Sequence, residues 1–348
     1  MPATDAAKRA APIFLICSER SGSNLLSSIV GQHPDVYSHP PYHLGRDLIM
    51  RLPEVVAGGV SSPAWTVLKD NAVARVAKYR GDDEAARLRT WLDDQPGLSP
   101  RDIARFVYQQ MPTEAHGKHV FVKENNAHRM LAFLVDCFPD ARFIFQVRDP
   151  RDYLLSAMVR RGHWMGNKFG SVRNALNVWR DDQLGGLAAY GLLGRERVFL
   201  QRYEDLVGRF DETMSALCAF LGLEFDQRMR QFHEAEHAQK LAVKGGPREN
   251  LARPLMTDNF RKYRNGLSKS RIRMVEAYLG DLMDRFGYPR EFTGRARPGI
   301  VSVLRPQLSE PLERLVNRDL GAQYESGNES LQQRLDASVT PLCPPLWE

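Results

Sequence analysis

Ile13-Phe14-Leu15-Ile16-Cys17-Ser18-Glu19-Arg20-Ser21-Gly22-Ser23-Asn24-Leu25-Leu26 decides the fold class, because it passes from an apolar run through a tight polar turn into a helical start. The apolar run predicts a buried strand. Ser21, Gly22 and Ser23 permit close backbone approach, and a helix from about Asn24 aims its unpaired N–H groups and positive dipole end back at the turn. The segment is therefore a cradle for phosphate. The nucleoside-triphosphate consensus is absent from it. That consensus needs four residues between its glycines and a Gly-Lys-Ser/Thr ending, whereas here a basic residue precedes a single Ser-Gly-Ser and no hydroxyl follows a lysine to hold magnesium.

Outward from this segment, Val36-Tyr37-Ser38 predicts a short second strand, followed by the polar corner His39-Pro40-Pro41-Tyr42-His43. From about Leu44 to Met111 the pattern is helical, broken at Pro53, Gly58-Gly59, Pro63, Pro96 and Pro100, and reads as an insertion over the carboxyl edge of a sheet. Alternation resumes with strands at His119–Lys123, Arg142–Val147 and Arg197–Gln201. Helices fall near Met130–Val135, from Pro150, and from Val172 to Tyr190, with more helices to Tyr288. Such alternation predicts an α/β fold, a P-loop-like, mostly parallel sheet flanked by helices, with a helical insertion and a helical C-terminal extension. The expected organisation is a disordered tail over 1–11, one domain over 12–288 with a helical cap over 44–111, and the extension over 289–348. The extension packs on the domain or on a second copy of the chain, so a homo-oligomer stays open.

A hydrophobic content of 43% over 348 residues is that of a packed core rather than a disordered chain. The 48 basic and 42 acidic side chains give +6, which suits an anionic ligand. The charges are dispersed, with no Lys/Arg block, zinc-finger spacing or aromatic single-strand signature, and nucleic acid is excluded as a partner on that ground. The apolar run near the start is too short for a signal core or a transmembrane segment, and Cys17, Cys137, Cys218 and Cys343 are far apart. A cytoplasmic protein with reduced thiols is expected.

Four segments gather at predicted strand ends. In the first, Arg20, Ser21, Gly22, Ser23, Asn24 and Leu25 line the turn. The second is Arg148-Asp149-Pro150-Arg151-Asp152-Tyr153-Leu154-Leu155-Ser156, where an arginine at a strand end and a serine two turns into the next helix both reach one phosphate. Asp149 and Asp152 orient that arginine or cap the helix. The third, Val122-Lys123-Glu124-Asn125, puts a lysine just past a strand; the fourth is Val198 to Leu206 with Tyr203-Glu204-Asp205-Leu206.

The first two segments resemble the phosphosulfate loop and the 3′-phosphate site of sulfotransferases that use 3′-phosphoadenosine 5′-phosphosulfate. The chain is similar to the branch containing bacterial carbohydrate and glycolipid enzymes and the heparan and tyrosylprotein enzymes. The resemblance implies that Arg148 and Ser156 hold the 3′-phosphate, that Arg20 neutralises the sulfonate or 5′-phosphate, and that Lys123 offsets charge on the leaving phosphate oxygen. It implies that Tyr203 stacks on or bounds the adenosine, and that Arg261 and Lys262 belong to a basic loop closing over the nucleotide, as does Lys244 to Arg248. Part of the family places a histidine base two residues after the lysine, where this chain has Asn125. The branch with a His-Pro-Asp-Val-like turn uses a glutamate a few residues on; His33-Pro34-Asp35-Val36 is present, but no carboxylate follows it. A histidine takes a hydroxyl proton near neutral pH without a large shift, so His43 and His39 are the base candidates, with Glu124 third.

The expected activity is sulfuryl transfer to a hydroxyl or amine of a small-molecule, carbohydrate or lipid acceptor, leaving adenosine 3′,5′-bisphosphate. No metal is required, because the sulfuryl group carries less charge than a phosphoryl group and cationic side chains stand in for magnesium. Trp65, Trp91, Trp164 and Trp179 are candidate stacking surfaces for the acceptor. The alternatives are a non-catalytic nucleotide-binding protein and a P-loop kinase.

Overall fold

The computed structural model describes residues 10–38, 44–49, 51–52, 58–95, 99–124, 127–159, 171–242 and 248–292. Along the chain run β1 (Ile13–Cys17), α1 (Ser23–Val30), β2 (Val36–Ser38), α2 (Pro63–Arg80), α3 (Asp82–Asp93), α4 (Pro100–Arg105), β3 (His119–Val122), α5 (Leu131–Cys137) and β4 (Arg142–Val147). Then come α6 (Pro150–Val159), α7 (Val172–Leu193), β5 (Val198–Arg202), α8 (Tyr203–Gly208), α9 (Phe210–Leu221), α10 (Glu236–Leu241), α11 (Tyr263–Gly266) and α12 (Lys269–Arg285). The strands join in the order β2-β3-β1-β4-β5. β3 pairs in parallel with both β1 and β2, in the register Phe14 to Val122 and Tyr37 to Val120. The fold is α/β with a mostly parallel five-stranded sheet, and β1 is its central strand. Among the described residues no helix is long and apolar enough to cross a membrane.

The described residues group into two compact units, those within Met1–Ile16, Ser23–Ile144 and Cys218–Pro254 in the first, and those within Cys17–Gly22, Phe145–Leu217 and Leu255–Glu348 in the second. In the first unit Phe14 stacks on Phe143 at 5.6 Å and meets Tyr108 edge-on, an aromatic centre that makes a continuous apolar strand the stable choice for β1. The described residues between 44 and 111 are mainly helical. Pro63 and Pro100, read from sequence as breaks, are first-turn residues: Ser62 and Ser99 cap the helices they begin, accepting from the Trp65 and Asp102 N–H groups. Gly81, at φ 95°, separates α2 from α3. His33 donates through Nε2 to the Glu224 carbonyl and accepts the Asp35 N–H at Nδ1, so it is a structural fastener of the turn before β2.

The second unit is built round Phe145, Phe286 and Trp179, packed edge to face. Its polar frame is buried. Arg151 grips Asp149 through Nε and Nη2 at 3.0 and 2.7 Å, Glu276 at 2.7 Å and the Pro289 carbonyl, and its guanidinium lies 4.2 Å from the Tyr263 ring centroid. Burial opposes the Arg151 charge, but the Asp149 and Glu276 hydrogen bonds outweigh it and hold the guanidinium protonated. Glu276 also accepts the N–H groups of Glu291 and Phe292, fixing the chain just past α12.

Cys137 and Cys218 are buried and Cys17 half-buried, and none of the three is in a disulfide; they sit as small fillers of their runs. Cys343 and the expected C-terminal extension after Phe292 lie outside the described residues, as does the tail through residue 9.

Candidate active site

In the second unit the turn after β1 is held from below by its carbonyl groups. Gln146, on β4, donates to the Ser21 carbonyl at 2.6 Å and accepts from Gln201 of β5 at 2.7 Å; Gln183 of α7 donates to Ser18 Oγ. Arg20 adopts φ 69° and Gly22 φ 84°. The ring of Tyr203 underlies Gly22, where an added Cβ would stand 2.4 Å from Tyr203 Cδ2, so only glycine fits.

Three residues then interlock. Arg148 donates from Nη1 to the Arg20 carbonyl at 2.8 Å, Arg20 donates from Nε to Ser156 Oγ at 3.1 Å, and the Arg148 guanidinium lies 4.5 Å from the Tyr203 ring centroid. Trp179 Nε1 holds the Arg148 carbonyl. Two polar atoms of this cluster, Arg148 Nε and Ser21 Oγ, are buried and make no hydrogen bond within the protein. Buried polar atoms without partners are rare, and two donors in one cationic cluster fit the oxygens of a phosphate.

A third element joins the cluster. Asp152 accepts the backbone N–H of Arg261 at 2.5 Å and of Tyr263 at 2.9 Å, and Asn259 donates to the Tyr203 hydroxyl at 2.7 Å. Burial raises the Asp152 carboxyl and the nearby Arg148 charge lowers it. Behind it, Glu204 accepts the Asp149 N–H and the Tyr288 hydroxyl; burial first, then Asp149, pushes its carboxyl up to about 7.

In the first unit, α1 presents the unpaired N–H groups of its first turn at Ser23, Asn24 and Leu25. Lys123, at the end of β3, donates from Nζ to Asn24 Oδ1 at 2.8 Å. The Glu124 carboxylate accepts the Gly45 N–H at 3.2 Å and the Tyr108 hydroxyl at 3.3 Å. Burial, reinforced by Glu124, raises the Tyr108 phenol well above its ordinary range, so it stays a donor.

A model of a family described as the sulfotransferase family matches residues 12–227, more than half of the chain. The chain belongs to the sulfotransferase family. It is 22% identical to a protein-tyrosine sulfotransferase of Drosophila melanogaster over 64% of this chain and 40% of that protein. It is 26% identical to the omega-hydroxy-beta-dihydromenaquinone-9 sulfotransferase Stf3 of Mycobacterium tuberculosis over 70% of this chain and 58% of that one. The matches thus span about half the length of these curated relatives. Among solved structures, the sulfotransferase domain of the Synechococcus PCC 7002 olefin synthase superposes with a TM-score of 0.56 at 21% identity, covering 74% of this chain and 88% of that domain, and shares its fold.

Within this sulfotransferase fold the residues read from sequence distribute unevenly. Arg148 and Ser156, expected at one phosphate, meet through Arg20, and the Ser21–Gly22 turn, expected as a cradle of its own, lies against the same cluster at Tyr203. Arg20 has a left-handed backbone and donates to Ser156, so it stands with the Arg148 cluster. Tyr203 is only 3% exposed and gives its face to Arg148, which makes it the arginine's support rather than an open adenosine platform. Asp149 caps α6 through the Arg151 N–H, while Asp152 secures residues 261–263; neither hydrogen-bonds Arg148. Arg261 is half-buried and Lys262 exposed. Trp65 and Trp179 are buried in the core and Trp91 stacks on Phe106, so these three are packing residues. His39, His43, Asn125, Trp164 and Lys244 to Pro247 lie outside the described residues.

Gln146, Gln201, Asn259 and the latch role of Asp152 were missed. A signal existed for the two glutamines, each an amide inside an apolar strand, where burial demands a partner.

Proposed function

We propose that this chain transfers a sulfuryl group from 3′-phosphoadenosine 5′-phosphosulfate to a hydroxyl, or an amine, of a small-molecule, carbohydrate or lipid acceptor. The observation that carries the reading is the Arg148–Arg20–Ser156 cluster with its buried, unpartnered Arg148 Nε and Ser21 Oγ. When bound, the nucleotide supplies the activated sulfuryl group and leaves as adenosine 3′,5′-bisphosphate. Arg148 and Ser156 hold its 3′-phosphate. Ser21 to Leu25 donate backbone and hydroxyl hydrogen bonds to the other phosphate, helped by the α1 dipole. Arg20 bridges these groups, and Arg261 and Lys262 cover the nucleotide. Lys123, oriented by Asn24, places positive charge where the leaving oxygen gains negative charge.

The acceptor's proton passes to His43 or His39, whose imidazoles suit that step near neutral pH. Glu124, with its carboxylate on Gly45 N–H and the Tyr108 hydroxyl, holds the segment that follows the 39–43 corner.

Calorimetry with adenosine 3′,5′-bisphosphate against adenosine 5′-phosphate tests the cofactor. Wild type prefers the bisphosphate, and Arg148→Ala erases the preference at a cost of about 1.5–3 kcal/mol, the range for hydrogen bonds to a charged group. Equal affinity of the wild type for both ligands overturns the assignment, and magnesium-dependent ATP turnover by the pure protein would replace it with a kinase.

A further inference from the structure

In the second unit, buried glutamines from three elements converge on the turn after β1: Gln146 of β4, Gln183 of α7 and Gln201 of β5. Gln146 sits in a strand with Phe143, Ile144, Phe145 and Val147, all fully buried, where an apolar side chain would fill the space without the cost of burying an amide. The amides act in series. Gln201 donates from Nε2 to Gln146 Oε1 at 2.7 Å, which leaves the Gln146 amide nitrogen turned to the Ser21 carbonyl, 2.6 Å away. Gln183 fastens the near end of the turn through Ser18 Oγ, and the Ser18 carbonyl takes the Ser21 N–H at 3.3 Å. Gln201 Oε1 and Gln183 Oε1 stay buried with no hydrogen bond. Packing alone does not account for two stranded acceptors.

We propose that Gln146, polarised by Gln201, is the positioning residue that keeps the Gly22 N–H directed at the 5′-phosphate of the nucleotide. The inference rests on the sulfuryl-transfer reading and names what prepares its phosphate turn. A trans peptide unit is planar, so the Ser21 carbonyl and the Gly22 N–H point to opposite sides of it. With the carbonyl drawn to Gln146, the N–H faces away from β4, and it makes no hydrogen bond among the described residues. Gly22, at φ 84°, is also where such a unit turns over most easily, because glycine accepts both signs of φ. Turned over, the peptide would offer the anion a carbonyl oxygen in place of an N–H, exchanging attraction for repulsion. The Gln146 hydrogen bond opposes that flip, and Gln201 strengthens it, since an amide whose oxygen is engaged is a better donor. Gln146 Nε2 also stands only 3.4 Å from where a Gly22 Cβ would lie. Arg148 and Ser156 hold the 3′-phosphate in this reading, so the glutamine relay governs the other end of the nucleotide alone.

Calorimetry on the full chain compares adenosine 5′-phosphate, adenosine 3′-phosphate and adenosine 3′,5′-bisphosphate. Gln146→Leu, which keeps the bulk and removes the donor, weakens adenosine 5′-phosphate about fivefold or more, weakens the bisphosphate by the same factor, and leaves adenosine 3′-phosphate unchanged. Should that variant not fold, Gln201→Leu, which leaves the Ser21 contact in place, carries the same comparison with a smaller loss. Gln146→Glu recovers affinity for adenosine 5′-phosphate as pH falls, because a protonated carboxyl donates to the Ser21 carbonyl and an ionised one cannot. The Gly22 amide resonance is a readout that a general loss of packing does not imitate: inorganic phosphate shifts it in the wild type and leaves it in place in Gln146→Leu. In a folded variant, equal weakening of the two monophosphates, weakening of neither, or a Gly22 resonance that responds as in the wild type overturns the proposal. A wild type that binds none of the three nucleotides strikes the cofactor reading, and the Gly22 shift with inorganic phosphate then decides the relay by itself.

Discussion

Gly22 shows how little freedom the turn has. Its φ of 84° and the Tyr203 ring beneath it both exclude a side chain, and Gly22→Ala is expected to cost about 2 kcal/mol or more from backbone strain and overlap. Urea midpoints of the two proteins measure this directly. At this scale the sequence was legible at Gly22, whose place between Ser21 and Ser23 marks a turn of close backbone approach. It was illegible where a partner comes from far along the chain. Arg20 finds Ser156 across 136 residues, and no local pattern announces that the turn's arginine takes a left-handed backbone.

Between elements, the second unit is joined by carboxylates. Asp152 ties α6 to residues 261–263 by two backbone hydrogen bonds, and Asp152→Ala is expected to lower stability by about 1.5–3 kcal/mol. Hydrogen exchange at the Arg261 and Tyr263 amides would accelerate selectively; unchanged protection there would refute the latch. Glu204 joins α8 to the start of α6 and to Tyr288. Its carboxyl lies near 7 in the folded chain, against 4.5 for the free group. The folded state therefore holds this proton more tightly, so the contribution is complete below about 4.5 and is lost as pH rises to about 7. Denaturant midpoints taken at about pH 5 and about pH 8 should show the wild type losing stability relative to Glu204→Gln over that interval. The strands and most helices were predictable because burial leaves period and composition signals. The capped starts at Pro63 and Pro100 were misread because proline marks a break and a beginning alike.

For the molecule as a whole, ligand linkage gives the broadest test. A bisphosphate at about a hundred times its Kd adds about 2.7 kcal/mol to stability, and the melting temperature should rise with its concentration while adenosine 5′-phosphate at the same level does less. Arg148→Ala should abolish the difference in thermal melts. The net charge of +6 suits an anionic ligand without saying where it binds; the proposed place rests on Arg20, Arg148 and Ser156, which the second unit brings together.

The Arg148 guanidinium, pressed on the Tyr203 ring and hooked to the Arg20 carbonyl, is already immobile before anything arrives. Its rotamer entropy was surrendered during folding, so under the proposed reading capture of the bisphosphate would forfeit little more. More of the gross attraction would then survive as affinity, and recognition would be that of a rigid mould rather than a closing hand.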